Sequence, residues 1–228
     1  GQRRLPRRRI ERDFLERHEI TALLNAATTN ADYAIVMVGI YGGLRRGELF
    51  ALQWGDIDAA RAKGPGRLRI QRSVYQGEIT TPKTEHSVRV VDVPRLVLKA
   101  LERHKADCPP SDGDYVFRTA EGTPIDPDNW YKREFPAVRK RAKLRSIGLH
   151  ALRHTYASLL INAGENLKYV SRQLGHASIQ ITADLYGHLF KETSTAAMRR
   201  LNARIPTRAR AAKGVPNQRM LRIVKGAA

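Results

Sequence analysis

Between Gly148 and His188 the sequence reads GLHALRHTYASLLINAGENLKYVSRQLGHASIQITADLYGH and carries His150, Arg153, His176 and Tyr186. An arginine fork grips phosphate oxygens, a tyrosine oxygen can attack as a nucleophile, and a histidine can take its proton. That inventory suits a phosphate ester better than a carbonyl. Leu152, Tyr156, Leu159 and Ala163 recur at helical spacing and predict a helix from about Leu149 until Gly164, with His150 and Arg153 together on another face. Leu167, Val170 and Leu174 predict a second short helix closed by Gly175. Ile179, Ala183 and Tyr186 predict a third, with Ser178 available as its N-cap. Three short helices with tight turns can fold His176 and Tyr186 back towards His150 and Arg153.

Composition says what such a site would act on. The chain has 228 residues, 42% of them hydrophobic, enough to bury a core, yet its net charge is +19. Such an excess points to a polyanion, with nucleic acid ahead of an anionic membrane because no apolar run is long enough to span a bilayer. Cys108 is the one cysteine, so no intramolecular disulfide forms and a reducing compartment is expected. The N-terminal GQRRLPRRRI has positive charge without a following apolar region, unlike a secretory signal. A cytoplasmic location follows, on the nucleoid if the host is a bacterium. No phosphate-binding glycine loop is present, so ATP is not implied, and no cofactor or metal is expected.

The remaining elements must hold the site. Residues 1–12 carry six arginines against one acid and read as a basic arm on phosphates, as an interdomain linker, or as both. Phe14, Leu15, Ile20, Leu23 and Leu24 predict a helix within residues 13–27, and the almost wholly apolar run from Ala31 to Tyr41 predicts a central core helix broken by Gly42 and Gly43. In LRRGELFALQWGDID, Leu44, Leu49, Leu52 and Trp54 anchor a short helix and leave Arg45 and Arg46 polar at the end of the core helix. Glu48, three residues after Arg45, could orient it or cap backbone amides, or the two could be an ordinary surface pair. From Arg67 to Val93 the period changes to two, predicting a small three-stranded antiparallel sheet with Gly77 as a turn candidate and Lys83 near a hairpin tip. A solvated loop charge is the plain reading of Lys83. Pro94 starts another helix, with Leu96, Leu98 and Leu101 inward and Lys99, Arg103 and Lys105 outward. Asp126 to Lys143 read as a helix kinked or restarted at Pro136. Its basic surface, Lys132, Arg133, Arg139, Lys140, Arg141 and Lys143, is one-sided enough to favour contact with DNA phosphates. After Glu192 no acid remains, and Met220, Leu221, Ile223 and Val224 form an apolar knot in an otherwise polar tail, residues 206–228, able to dock on its own chain or on a neighbour.

The order and wording of these motifs resemble the catalytic domain of the tyrosine recombinase (phage integrase) family, from about Phe14 to about residue 200. GLRRGEL matches the family's first arginine motif and implies a catalytic role for Arg45 with Glu48 as its acidic companion. TPKT implies the hairpin lysine at Lys83. LHALRHTYAS matches the His-x-x-Arg motif and implies His150 and Arg153, QLGH implies His176, and ADLYGH implies the nucleophile Tyr186. Ala151 departs from the pattern, since many relatives carry aspartate there. The resemblance implies a mainly helical α+β domain over residues 13–205 with a small antiparallel sheet. It implies strand cutting and rejoining on double-stranded DNA without metal or ATP, by a tetramer on DNA; the free protein is expected to be a monomer. His154 and His188 read as structural or supporting residues, and Tyr41, Tyr156 and Tyr169 as packing.

Three other functions have features in their favour. His150 and His154 have zinc-ligand spacing, but no glutamate lies between them as in metallopeptidases and no third ligand is placed. A DNA-binding module without catalysis would not need the full residue set. A type IB topoisomerase shares the nucleophile and clamp but relaxes one duplex without exchanging strands.

Overall fold

The most apolar segment becomes the axis of the fold. Helix α2 (Asn30–Gly42) buries Ala34 through Ile40 and Gly42, and packs on α4 (Arg95–Asp107) and α7 (Leu149–Asn162). A helix apolar on all sides must be covered on all sides, and these neighbours supply the cover. The Thr29 hydroxyl caps its first turn by accepting from the Asp32 amide at 3.0 Å, and Gly43 ends it at φ 60°. Gly42 still belongs to the helix; Gly43 alone makes the break.

The computed structural model describes residues 14–59, 64–80, 88–108, 114–190, 198–199 and 201–203. The basic arm 1–12, Lys83 and the tail 206–228 lie outside the described residues. The described residues as far as Leu189 belong to one compact unit and those from Phe190 on to a second.

In the first unit, α1 (Arg17–Ala26) and α2 precede α3 (Arg46–Phe50) and a short 3-10 turn at Trp54–Asp56. Strands β1 (Ile57–Asp58), β2 (Gly66–Ile70) and β5 (Arg89–Val93) form a three-stranded antiparallel sheet in the order β1-β2-β5. Strands β3 (Ser73–Tyr75) and β4 (Glu78–Thr80) form a separate hairpin turning at Gln76 and Gly77, both with positive φ. The expected three-stranded sheet therefore exists with a different membership, because Val74 belongs to the hairpin rather than to the strand holding Leu68 and Ile70. Register in the larger sheet sets Leu68 opposite Val91 and Ile70 opposite Arg89, all on the buried face.

Helices α5 (Pro127–Arg133) and α6 (Phe135–Arg141) replace the single helix read from the sequence, and Pro136 lies in the first turn of α6, where its missing amide costs nothing. In α4 the buried residues are Val97, Leu98, Ala100, Leu101 and His104, whereas Leu96 is 65% exposed, contrary to its expected inward position. Helix α7 is buried on more than one face, at Ala151, Leu152, Thr155, Tyr156, Ala157, Ser158 and Ile161, while Ala163, its C-cap, is exposed. Then come α8 (Leu167–Leu174), capped by the Asn166 side chain and ended by Gly175 at φ 63°, and α9 (Ile179–Tyr186). Ser178 occupies the N-cap position of α9, but its hydroxyl makes no capping bond.

Candidate active site

The site assembles around the C-terminal end of α8. A helix leaves its last carbonyls without partners inside the helix, and they carry the negative end of its dipole. Here three successive carbonyls each accept from a guanidinium on a different element. Gln173 O accepts from Arg89 Nε of β5 at 3.0 Å, Leu174 O from Arg153 Nη2 of α7 at 2.5 Å, and Gly175 O from Arg45 Nη2, at the start of α3, at 2.8 Å. Arg153 also donates through Nη1 to Gly43 O at 2.6 Å, tying the end of α2 to the end of α8.

Glu48 is the anion among these cations. It is 6% exposed, and its carboxylate accepts from Arg45 N, from Arg45 Nη1 and from both Nη atoms of Arg89, each at 2.8 Å. It thus both caps α3 and orients Arg45. Burial works against its charge, but the hydrogen bonds and charge of Arg89, with help from Arg45, hold its carboxyl down at about 2. Arg153 is 3% exposed; burial, aided by the neighbouring Arg45 and Arg89, lowers its guanidinium to about 9, still charged at neutral pH. The Arg45 side chain is 41% exposed, so this guanidinium keeps donors open to an incoming anion.

His176 follows the αL turn at Gly175, and its Nδ1 lies 2.8 Å from the Thr182 hydroxyl. Burial and then the charges of Arg153, Arg45 and Arg89 lower its pKa to about 4, so the ring is neutral at physiological pH. Tyr186, the last residue of α9, is 4% exposed, and burial raises its phenol to about 12 despite the opposing pull of Arg153. Its hydroxyl lies 2.6 Å from His154 Nδ1. His150, exposed on the first turn of α7, is one ring further out, its centroid 5.3 Å from that of His154.

The structure therefore brings Arg45, Glu48, Arg153, His176 and Tyr186 together, with His150 at the margin and Lys83 outside the described residues. Two members were missed in the sequence. Arg89 lies in a valine-rich run whose apolar residues occupy both parities, so alternation alone does not reveal that residue 89 faces inward. His154 reads in the sequence only as a structural or supporting residue, although its place next to Arg153 and one turn after His150 sets it on the same side of α7. Among the basic residues expected on DNA, Lys132, Arg133, Lys140, Arg141 and Lys143 are exposed. Arg139 and Arg141 are partly used internally, by Ile147 O at 3.2 Å and Ala26 O at 2.9 Å. Tyr156 and Tyr169 pack as expected, with hydroxyls on Asp92 O at 3.1 Å and Asp92 Oδ2 at 3.3 Å. No group of three or more potential metal ligands occurs among the described residues, and no described helix is long and apolar enough to cross a membrane.

The site thus sets a buried tyrosine beside converging arginines. The sequence profile of the phage integrase family matches residues 13–193. The chain belongs to that family. It is similar to a tyrosine recombinase XerC-like protein of Caldanaerobacter subterraneus, 31% identical over 224 residues that make up 86% of this chain and 56% of the relative. The ICEBs1 integrase of Bacillus subtilis is 35% identical over 166 residues, 67% of this chain and 44% of that protein. The chain thus spans about half the length of the curated relatives it matches. The solved structure of the Tn1549 transposon integrase in complex with circular intermediate DNA shares the fold, with a TM-score of 0.69 at 24% identity over 82% of this chain and 66% of that one.

Proposed function

We propose that this chain carries the cutting and joining centre of a site-specific DNA recombinase that integrates or excises a mobile element through a 3′-phosphotyrosyl bond at Tyr186. The observation carrying this reading is the convergence of Arg45, Arg153 and His176 at one helix end next to a buried tyrosine hydroxyl hydrogen-bonded to a histidine. The relatives support it by name, and the Tn1549 neighbour by its complex with DNA.

In the reaction the Tyr186 oxygen attacks the scissile phosphorus while its proton passes to a histidine, with His154 Nδ1 nearest in the resting protein. The new P–O bond to tyrosine forms as the P–O5′ bond breaks. The departing O5′ takes a proton from Lys83, and the incoming 5′ hydroxyl of the other strand reverses the step. Arg45 and Arg153 neutralise the non-bridging oxygens, His176 donates a hydrogen bond to one of them, and His150 approaches from the outer edge of α7. Glu48 holds Arg45. These charges are all organic, so the step needs neither metal nor ATP. Lys132, Arg133, Arg139, Lys140, Arg141 and Lys143 follow the duplex backbone, as does the arm 1–12, while residues 13–205 form the catalytic body. The free protein is a monomer, and a tetramer forms on two DNA sites with the 206–228 tail reaching a neighbour.

The test is covalent capture. The gene product is mixed, in EDTA, with a pool of random-sequence duplexes nicked so that the cut end diffuses away, and protein–DNA adducts surviving detergent are sequenced. The wild type should enrich one site, Tyr186→Phe should give no adduct at unchanged DNA affinity, and the enriched site should yield recombinant joints rather than relaxation alone. Adducts formed by the Phe variant, or cleavage strictly dependent on Mg²⁺, would refute the reading.

A further inference from the structure

Arg89 is the one arginine of the cluster to which the chemistry above gives no task. Its side chain is 5% exposed, and Nε, Nη1 and Nη2 are all engaged, two on Glu48 and one on Gln173 O. A group so enclosed does not reach a phosphate. It does touch both halves of the clamp. A carboxylate offers about four acceptor directions, and Glu48 accepts four hydrogen bonds, two from Arg89 and two from Arg45. With Arg89 in place the carboxylate cannot turn, so the Arg45 fork that shares it has one direction. On the other side, the Arg89 stem lies against the turn carrying His176: a Cβ on Gly175 would meet its Cδ at 2.8 Å and its Nε at 2.9 Å.

We propose that Arg89 is a positioning residue for the phosphate clamp, setting the direction of Arg45 through Glu48 and the place of His176 through the Gln173 carbonyl. The inference rests on the recombinase reading for its rate effect, but its geometric part does not. Lysine keeps the charge, yet its ammonium cannot present the flat three-way fork that Glu48 and Gln173 O require. Removing Arg89 leaves Glu48 to pair with Arg45 alone, drawing that guanidinium off the phosphate.

The experiment compares the full gene product with Arg89→Lys, Arg89→Met, Glu48→Gln and Glu48→Gln/Arg89→Met on the random-sequence nicked duplex pool. Single-turnover adduct formation should fall about 10²-fold in Arg89→Met, the scale of a misplaced group, with duplex affinity nearly unchanged. Arg89→Lys should recover part of the rate. In the Glu48→Gln background Arg89→Met should add little, since both act along one path. A second readout needs no DNA: the His176 ring titration followed by NMR. His176 faces the charges of Arg153, Arg45, Arg89 and His154 and the Thr182 hydroxyl. Its midpoint should rise in Arg89→Met and stay in Arg89→Lys. A wild type that forms no adduct would overturn the recombinase reading while the titration still decides the role of Arg89. Wild-type adduct rates in Arg89→Met, an unmoved His176 midpoint, or equal losses of rate, affinity and melting temperature in both variants would overturn the proposal.

Discussion

Replacing Gly43 with alanine tests how far the backbone turn at the end of α2 sets the site. Gly43 has φ 60°, and a Cβ there would lie 2.3 Å from Tyr156 Cδ1 and 2.9 Å from Cγ. Left-handed backbone costs an L residue about 1–2 kcal/mol. Overpacking a filled core adds about 1–3 kcal/mol. The sum, about 2–5 kcal/mol, is a large share of the ~5–15 kcal/mol that holds a typical domain together. For a chain of this size it should lower the melting temperature by about 4–20 °C. Gly164→Ala is the control, because Gly164 has φ 89° but nothing within 4 Å of the added carbon. It should lose only the backbone part, about 1–2 kcal/mol. The difference in urea midpoint between the two variants therefore measures packing on Tyr156. Tyr156 cannot yield freely, since its hydroxyl is bonded to Asp92 O and Gln173 Oε1, both at 3.1 Å. The Gly43 carbonyl holds Arg153, so Gly43→Ala should also slow adduct formation about 10²-fold while Gly164→Ala does not. Equal destabilisation by the two substitutions, or full adduct formation by Gly43→Ala, would refute the reasoning.

Other outcomes follow from single groups. Glu48 has its folded pKa depressed from 4.5 to about 2, so the stability it contributes is present above pH 4.5 and is lost as pH falls towards 2. By pH 3 that loss should reach about 2 kcal/mol in urea unfolding. Glu48→Gln, less stable throughout, should lack this part of the acid slope; identical slopes would count against it. His154→Phe leaves the Tyr186 hydroxyl without its Nδ1 partner, at a stability cost of about 1–3 kcal/mol. Adduct formation should slow at unchanged DNA affinity, and a variant as fast as wild type would reduce the contact to packing. Lys83→Ala should be rescued by a substrate with sulfur at the bridging 5′ position, which leaves without a proton; failure of rescue with normal binding would move the acid elsewhere.

The helices that carry the site were legible because glycines punctuate them. Gly164 and Gly175 separate α7, α8 and α9, and the apolar spacing around these marks leaves little choice of frame. The central helix was legible for a different reason, being apolar all round. Where adjacent apolar residues compete for one inward position, the pattern loses its power. Leu96 and Val97 both fit the first turn of α4, and packing selects Val97. In the run that forms β5 and the residue before it, the valines at 88, 90, 91 and 93 leave both faces open, and the inward face holds a charged residue because a buried glutamate from α3 waits there. Arg89 and Glu48 are far apart in sequence, so nothing pairs them until the chain folds. The basic run on α5 and α6 shows the converse, as Arg139 and Arg141 donate to backbone carbonyls that only tertiary structure brings near.

Each of the three arginines at the end of α8 is moored to a peptide oxygen there, Arg45 and Arg89 holding the Glu48 carboxylate as well. Alanine scanning is blind to such moorings, because every residue, alanine included, brings the same oxygen. The wiring at Gln173, Leu174 and Gly175 would surface instead on exchanging single amides for esters, whose carbonyls accept more weakly, or in the infrared bands of carbonyls labelled one at a time. It also leaves evolution some latitude: the exposed side chains of α8, Lys168 and Arg172, can drift without touching these bonds, provided that the helix stops at the same residue.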